Sequence, residues 1–116
     1  MNMENKSKGK KGEDTACNFL KKKKYRIIER NYRCPYGEID IIAEHKNTLI
    51  IIEVKDRQNN KFGSGYIAVD YRKQKKIIQT TNYYINKYNI KFLVRFDVIS
   101  IDNDNITHIE NAFTEI

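Results

Sequence analysis

Two short acidic strings interrupt the most apolar part of this chain and constrain its fold more than any other feature. The first is Gly37-Glu38-Ile39-Asp40 and the second is Glu53-Val54-Lys55. Both lie in runs of branched apolar residues, a pattern that predicts β-strands. Buried strand faces rarely carry carboxylates or ammonium groups, because removing a charge from water is costly. The strings therefore indicate a polar site built on two neighbouring strands.

The spacing of the strings predicts that Asp40 and Glu53 lie close together. The polar segment Glu44-His45-Lys46-Asn47 suits a hairpin turn between the two strands. A tight turn centred on Lys46-Asn47 places Asp40 directly opposite Glu53, with Cβ atoms roughly 5 Å apart; a four-residue loop gives a diagonal pair roughly 7 Å apart. Like charges at this distance are destabilising unless something neutralises them. A cation does so, and carboxylate oxygens suit Mg²⁺ or Mn²⁺.

Lys55 adds a positive charge to the same strand face as Glu53, because side chains alternate along a strand. Its ammonium group could stabilise charge that develops on a phosphate, or lower the pKa of an attacking water. The alternative is a cross-strand charge ladder on a solvated face. Leu49 and Ile51 share that face and favour the functional interpretation, because they predict that the face is partly buried.

Composition predicts one domain over residues 1–116, with residues 1–7 disordered. The net charge of +7 and the pI of about 9.4 predict a polyanionic partner, with nucleic acid ahead of an anionic membrane. Cys17 and Cys34 lack metal-binding spacing. No segment has the length of a membrane span or the form of a signal peptide, so we expect a cytoplasmic protein with no membrane partner.

Helix and strand patterns follow one another along the rest of the chain. The predicted elements are a helix from about Lys8 to Lys23, a strand from Tyr25 to Tyr32, the two strands with the acidic strings, ending near Lys55, a helix from about Asp70 to Lys87, and strands from Phe92 to Ile101 and from Ile106 to Phe113. Asp70 suits an N-cap, and the polar segment 56–68 predicts a loop. The element order is αβββαββ.

Two charged residues extend the apolar stripes of the predicted helices. Glu13 lies one turn before Ala16 and Cys17, so it belongs to the buried stripe of the first helix; the alternative is a glutamate that only favours the helix macrodipole. Lys73 lies one turn before Ile77 at the start of the second stripe. That stripe is predicted to comprise Ile77, Thr81, Tyr84, Ile85 and Tyr88.

The element order, the glutamate on the first helix and the two acidic strings resemble the restriction-endonuclease-like nucleases of the PD-(D/E)XK superfamily. Further motifs resemble the bacterial YraN family, which is similar in layout to the archaeal Holliday-junction resolvases. These motifs are Gly12-Glu13, Arg30-Asn31-Tyr32-Arg33, Gly37 to Ala43, Glu53-Val54-Lys55, Arg57, Phe62-Gly63, Val69 with Lys73, and Arg95 to Val98. The resemblance implies an α/β fold with a mixed central sheet flanked by helices.

The resemblance also implies roles for individual residues. Asp40, Glu53 and the backbone carbonyl of Val54 would be metal ligands, and Lys55 would orient or activate the attacking water. Glu13 would be an outer ligand or a ligand of a second metal. Phosphate contacts would come from Arg33, Arg57, Arg72, Lys73 and Gln74, although a solvated surface is the alternative for each of the basic residues.

Two hypotheses of function follow. The first is a Mg²⁺- or Mn²⁺-dependent endonuclease that hydrolyses DNA phosphodiester bonds, structure-specific like a resolvase, in repair or recombination. It would act on branched or nicked DNA, and as a homodimer where two matched cuts are needed. The second is a non-catalytic nucleic-acid-binding module with a vestigial nuclease site. Elsewhere, Arg95 and Asp97 predict a buried ion pair, and Tyr83, Tyr84 and Tyr88 predict helix packing rather than base stacking.

Overall fold

The computed structural model describes residues 3–56 and 69–115. Arg57 and most of the predicted loop lie outside the described residues. Two helices and five strands follow one another along the chain. They are α1 (Met3–Lys22), β1 (Arg26–Cys34), β2 (Gly37–His45), β3 (Thr48–Asp56), α2 (Tyr71–Tyr88), β4 (Leu93–Asp102) and β5 (Asn105–Phe113). This is the predicted αβββαββ order.

All five strands form one mixed sheet in the order β1-β2-β3-β4-β5. The β3–β4 pair is parallel and the other pairs are antiparallel. A parallel pair needs a crossover connection, and α2 lies within it. β3 is the middle strand, which explains its nearly continuous run of buried isoleucines.

The two helices cover opposite faces of the sheet. Ala16, Cys17 and Leu20 of α1 pack on one face against residues that include Ile41, Ile50, Ile52 and Ile99. Ile77 and Tyr84 of α2 pack on the other face against residues that include Ile42, Leu49, Ile51 and Val98. The result is a three-layer α/β/α domain with the predicted restriction-endonuclease-like layout. Neither α1 nor α2, the helices of the described ranges, is long and apolar enough to cross a membrane.

The β2–β3 hairpin has the tight turn that the sequence predicts. Lys46 and Asn47 both have positive φ, 52° and 62°, as a mirror-image two-residue turn requires. His45 pairs with Thr48, and the same register continues to Ile41 opposite Ile52. One step further along both strands lie Asp40 and Glu53, so the turn itself brings the acidic strings together.

Two details of the helices differ from the sequence prediction. α1 begins at Met3, well before Lys8, and includes residues 3–7 that were expected to be disordered; glutamate and lysine favour a helix there and no proline stops it. On α2, Tyr88 was expected in the buried stripe but is 49% exposed. Its ring contacts that of Tyr84. Thr80, which was not assigned to the stripe, is fully buried, and its hydroxyl donates to the Lys76 carbonyl at 2.7 Å. Asp70 caps α2 as predicted, accepting from the Arg72 N–H.

Candidate active site

The β1–β2 ladder is interrupted where Asp40 lies. Arg30 pairs with Ile41 and Tyr32 with Ile39, but the ladder has no pair at Asn31 and Asp40. Asn31 adopts a positive φ of 54°, and an irregular residue of this kind disturbs the alternation of a strand. Ile39 and Ile42 of β2 pack in the same core cluster although they are three residues apart, so strict side-chain alternation does not hold through Asp40. Glu38, two residues before Asp40, is exposed and pairs with Arg33.

The Asp40 carboxylate takes the place of a backbone acceptor between β2 and β3. The ladder between these strands ends at Ile41 and Ile52. Beyond it, Asp40 Oδ2 accepts a hydrogen bond from the Val54 N–H at 2.8 Å. The N–H and C=O of one strand residue point toward the same neighbouring strand, so the Val54 carbonyl also faces the Asp40 side. This contact fixes one oxygen of Asp40 at the open end of the hairpin.

Glu53 is a buried carboxylate with an ammonium partner. Its side chain is 7% exposed, and its Oε1 lies 2.5 Å from Nζ of Lys73 on the first turn of α2. Burial alone would lower the pKa of Lys73, but the hydrogen bond and the charge of Glu53 outweigh it and raise that pKa. Lys73 thus points inward from the start of the apolar stripe. Lys55, two residues after Glu53, is half-buried.

The acidic pair carries more negative charge than its surroundings neutralise. Burial and the neighbouring Glu53 carboxylate raise the pKa of Asp40 from 3.8 to about 7; the Val54 N–H and the Lys73 charge oppose that rise, and Glu13 adds to it. A carboxyl group that resists ionisation at neutral pH indicates a site that would be stabilised by an additional cation.

Glu13 reaches the same region from α1. A Cβ placed on Gly12 would lie 2.9 Å from Asp56 Oδ2, so glycine allows α1 to approach the end of β3 closely. Glu13 Oε1 accepts from Asn31 Nδ2 at 2.8 Å and lies 3.6 Å from Arg30 Nη2. It therefore faces β1. Among the side chains of the described ranges, no three His, Cys, Asp or Glu residues come close enough together to hold a metal ion. The structure brings Asp40 and Glu53 together and leaves Glu13 beside them, bound to β1.

The predicted phosphate-contacting residues occupy different environments. Arg33 is exposed and pairs with Glu38 at 2.6 Å, and Arg72 is exposed at the start of α2. The Gln74 amide donates to the Val69 carbonyl at 2.7 Å, so it braces the start of α2. Arg57 lies outside the described residues. Among the members of this set that the structure describes, Lys73 is the one that contacts the acidic pair.

A second polar cluster surrounds Asp97 on β4. Arg95 donates to both carboxylate oxygens of Asp97, at 2.9 and 2.8 Å, which confirms the predicted ion pair. His108 Nε2 lies 2.7 Å from Oδ2, and the Asn111 N–H donates to Oδ1 at 3.0 Å. His108 was not assigned to this pair from the sequence. The signal was available, because a tight β4–β5 turn at Asn103-Asp104 pairs His108 with Ile99, next to Asp97 on the same sheet face.

Sequence comparison identifies the family. The family described as "Uncharacterised protein family UPF0102" matches residues 12–101, most of the chain. This chain belongs to UPF0102. UPF0102 proteins of Persephonella marina and Thermodesulfovibrio yellowstonii are each 50% identical to it, over 91% and 90% of this chain and 92% and 94% of their own lengths. A UPF0102 protein of Clostridioides difficile is 47% identical over 96% of this chain and 100% of its own length.

Membership of UPF0102 confirms the YraN-like family that the motifs predicted. The matched segment contains Glu13, both acidic strings, Lys73 and Asp97, and it ends at Ile101. His108 lies beyond it, although its side chain completes the cluster around Asp97. The acidic pair is thus formed entirely within the UPF0102 segment, whereas the Asp97 cluster also needs β5.

Proposed function

We propose that this chain is a Mg²⁺- or Mn²⁺-dependent endonuclease that hydrolyses phosphodiester bonds in DNA. The observation that carries the proposal is the Asp40–Glu53 pair at the open end of the β2–β3 hairpin, with Val54 bonded to Asp40 and Lys73 bonded to Glu53. A structural carboxylate pair would be fully neutralised by its neighbours. This pair is not, since the pKa of Asp40 is raised to about 7 by burial and by Glu53.

The donor set fits a hard divalent cation. Two carboxylates and the Val54 carbonyl are oxygen ligands, which suit Mg²⁺ and Mn²⁺ better than zinc. The Lys73 ammonium already supplies one positive charge to Glu53, so a bound cation would share this carboxylate with Lys73. Asp40, Glu53 and Val54 would hold the ion, and Glu13 lies close enough to raise the pKa of Asp40 and to act from the outer side. When bound, the ion would polarise the phosphate and promote ionisation of water.

The basic residues of the site act on the substrate in this proposal. Lys55 shares a strand face with Glu53 and is half-buried, and its ammonium would stabilise charge on a phosphate oxygen. Lys73 fixes the orientation of Glu53. Arg72 and Arg33 are exposed on nearby segments and would contact the DNA backbone, which positions the substrate without reading its sequence.

The test is cleavage of a panel of labelled DNA structures by the wild type, Asp40→Asn and Glu53→Gln. The panel contains single strands, duplexes, nicked duplexes, flaps and four-way junctions, each with Mn²⁺, with Mg²⁺ and with chelator. We expect metal-dependent cleavage by the wild type and a loss of at least about a hundredfold in each variant. Glu44→Gln is the matched control, because Glu44 is on the same strand but pairs with exposed Arg26; it should cleave like the wild type.

Two results would contradict the nuclease proposal. Cleavage that survives in both Asp40→Asn and Glu53→Gln would place the activity elsewhere or in a contaminant. Absence of metal-dependent cleavage of every substrate, with the wild type folded by circular dichroism, would also contradict it. If two matched cuts are made in a junction, light scattering should show a dimer on that substrate.

The second candidate is a nucleic-acid-binding module without catalysis. It is favoured by two observations: within the described ranges the acidic pair lacks a third carboxylate at coordinating distance, and Lys73 already occupies one side of Glu53. It predicts salt-sensitive DNA binding that chelator and Asp40→Asn leave unchanged, with no cleavage. The same panel, read by binding and by cleavage, separates the two candidates.

A further inference from the structure

A groove beside α2 has the chemistry of a nucleobase site. Its volume is about 620 Å³, and it lies between the β1–β2 turn and the outer face of α2. Tyr36 comes from the turn, and the other lining residues recur every three or four positions along the helix. The lining consists of Tyr36, Gln79, Asn82, Tyr83, Asn86 and Lys87.

Two tyrosine rings form the walls of this groove. Tyr36 is 52% exposed, and its ring centroid lies 6.1 Å from that of Tyr83 at an interplanar angle of 62°. Tyr84, the next residue on α2, is buried against Tyr32 and accounts for the packing of the helix on the sheet. Tyr83 is partly buried and packs against the same core cluster, as predicted. Its remaining surface lines the groove beside the exposed ring of Tyr36, and aromatic surface of this kind can stack on a base.

The polar groups of the groove match base edges and a phosphate. Gln79, Asn82 and Asn86 contribute carboxamides, each with donors and an acceptor, as a base edge has. Asn82 is partly engaged, since its Nδ2 donates to Glu115 at 3.3 Å. Lys87 Nζ lies 5.9 Å from the centroid of the Tyr83 ring, so one ammonium group flanks the aromatic wall. Stacking faces, carboxamides and a cation are the combination that binds single-stranded nucleic acid.

The groove and the acidic pair are joined by short paths along β2 and along α2. Gly37 follows Tyr36 and packs directly on α2, where an added Cβ would lie 3.1 Å from Thr80 Oγ1. From Gly37, three residues of strand lead to Asp40, roughly 10 Å. Along α2, Gln79 is six residues from Lys73, roughly 9 Å. A base held in the groove would therefore belong to a nucleotide near the one at the acidic pair.

We propose that Tyr36 and Tyr83, with the carboxamides of Gln79 and Asn86, bind an unstacked base of single-stranded DNA near the acidic pair. The catalytic relevance of this subsite rests on the proposed nuclease function, but the binding itself does not. A duplex keeps both faces of its bases covered, so the groove selects DNA with unpaired nucleotides near the site of cleavage. It would distinguish a flap, loop or single strand from a continuous duplex.

The test measures binding without cleavage. Fluorescence anisotropy would follow a labelled oligothymidylate and a fully paired duplex of equal length, with the full chain in chelator. Stacking on one aromatic side chain supports affinity changes of roughly tenfold. We expect Tyr36→Ala and Tyr83→Ala each to weaken single-strand binding about tenfold and duplex binding less than threefold. Tyr36→Phe and Tyr83→Phe should stay near the wild type, because they keep the stacking face.

Two controls separate stacking from other effects. Tyr71→Ala removes another exposed tyrosine of α2 that does not line the groove, and single-strand binding should not change. Lys87→Gln should weaken single-strand and duplex binding alike and lower the salt slope by about one, since it removes a phosphate contact.

The inference is overturned if single-strand affinity is unchanged in both alanine variants, or if Tyr71→Ala weakens it equally. It is also overturned if duplex and single strand lose affinity to the same extent. A wild type that never cleaves DNA but shows the expected selective losses would remove the nuclease proposal and leave the base subsite in place.

Discussion

Asp40 and Asp97 are both carboxylates withdrawn from solvent in the same sheet, but their surroundings differ. Asp97 is 0% exposed and is bonded to Arg95, His108 and the Asn111 N–H. Burial would raise its pKa, yet these partners outweigh burial and lower it. Asp40 has the Val54 N–H as its bonded partner and faces Glu53, and its pKa is raised to about 7. The comparison teaches that burial alone does not identify a functional carboxylate; incomplete neutralisation does.

The largest expected effect is on the Asp97 side. Asp97→Asn removes a charge that Arg95 and His108 surround, so Arg95 would lose its buried counter-charge. We expect a loss of about 3 to 5 kcal/mol in the free energy of unfolding at pH 7, measured by urea titration. Because the folded pKa of Asp97 is lowered, its contribution is present above the unfolded value of about 4 and is lost as pH falls through the folded pKa. The variant and the wild type should therefore converge in acid.

Glu110→Gln is the matched control for that prediction. Glu110 also contacts Arg95, at 3.0 Å, but its side chain is 55% exposed. An exposed ion pair contributes about 0 to 1 kcal/mol, so the control should lose no more than that. Equal losses in the two variants would show that the Arg95 charge, rather than the burial of Asp97, decides the energy of the cluster.

The second prediction has the opposite sign. Asp40→Asn should stabilise the metal-free protein at pH 8 by roughly 2 to 4 kcal/mol, because it removes a carboxylate whose ionisation opposes folding. The folded pKa of about 7 lies above the unfolded value, so stability is fully present below about pH 4 and is lost as pH rises to 7. The gain from the mutation should therefore be small at pH 4 and complete above pH 7.

The effect of Mn²⁺ on the melting temperature is a complementary test of the Asp40 site. Mn²⁺ should raise the melting temperature of the wild type at pH 8, because it binds the folded state. It should have little effect on Asp40→Asn, and Asp104→Asn, in the exposed β4–β5 turn, should respond like the wild type. A stabilisation by Mn²⁺ that is equal in all three proteins would mean that the ion binds elsewhere.

Local sequence patterns sufficed for the order of helices and strands, and the family resemblance supplied the mixed central sheet. The acidic strings and the Lys46-Asn47 turn predicted the register of β2 and β3, and hence the proximity of Asp40 and Glu53. The positive φ of Asn31 was not predicted, and neither was the bond from its side chain to Glu13 on another element. His108 could have been assigned to Asp97 from the β4–β5 turn, but its contact with Lys23, which follows α1, needed the packed structure.

The sequence predicted the position of Lys73 on its helix but not its contact with Glu53. Helical spacing placed Lys73 at the start of the apolar stripe, but nothing local in the sequence showed that α2 begins beside the end of β3. The groove at Tyr36 is a similar case, since it depends on the close approach of Gly37 to Thr80. Periodicity assigns faces to elements, whereas contacts between elements need the packed structure.

The smallest effect is expected at Lys73, which connects the acidic pair to α2. Lys73→Gln removes the ammonium group that neutralises buried Glu53, but the Lys73 side chain is 47% exposed and solvent screens the pair. We expect the metal-free protein to lose about 1 kcal/mol in urea titration. Lys75→Gln, on the same turn and exposed, is the matched control and should lose less.

Repeating the urea titration in Mn²⁺ distinguishes two explanations of that loss. If the Lys73 ammonium acts as a substitute for a bound cation, saturating Mn²⁺ should supply the missing positive charge and reduce the difference between Lys73→Gln and the wild type. If Lys73 serves only to attach α2 to β3, the difference should persist in Mn²⁺, because the lost contact is not restored. A persistent difference would make Glu53 resemble Asp97, a carboxylate neutralised by the protein itself, and only Asp40 would then remain as an incompletely neutralised group.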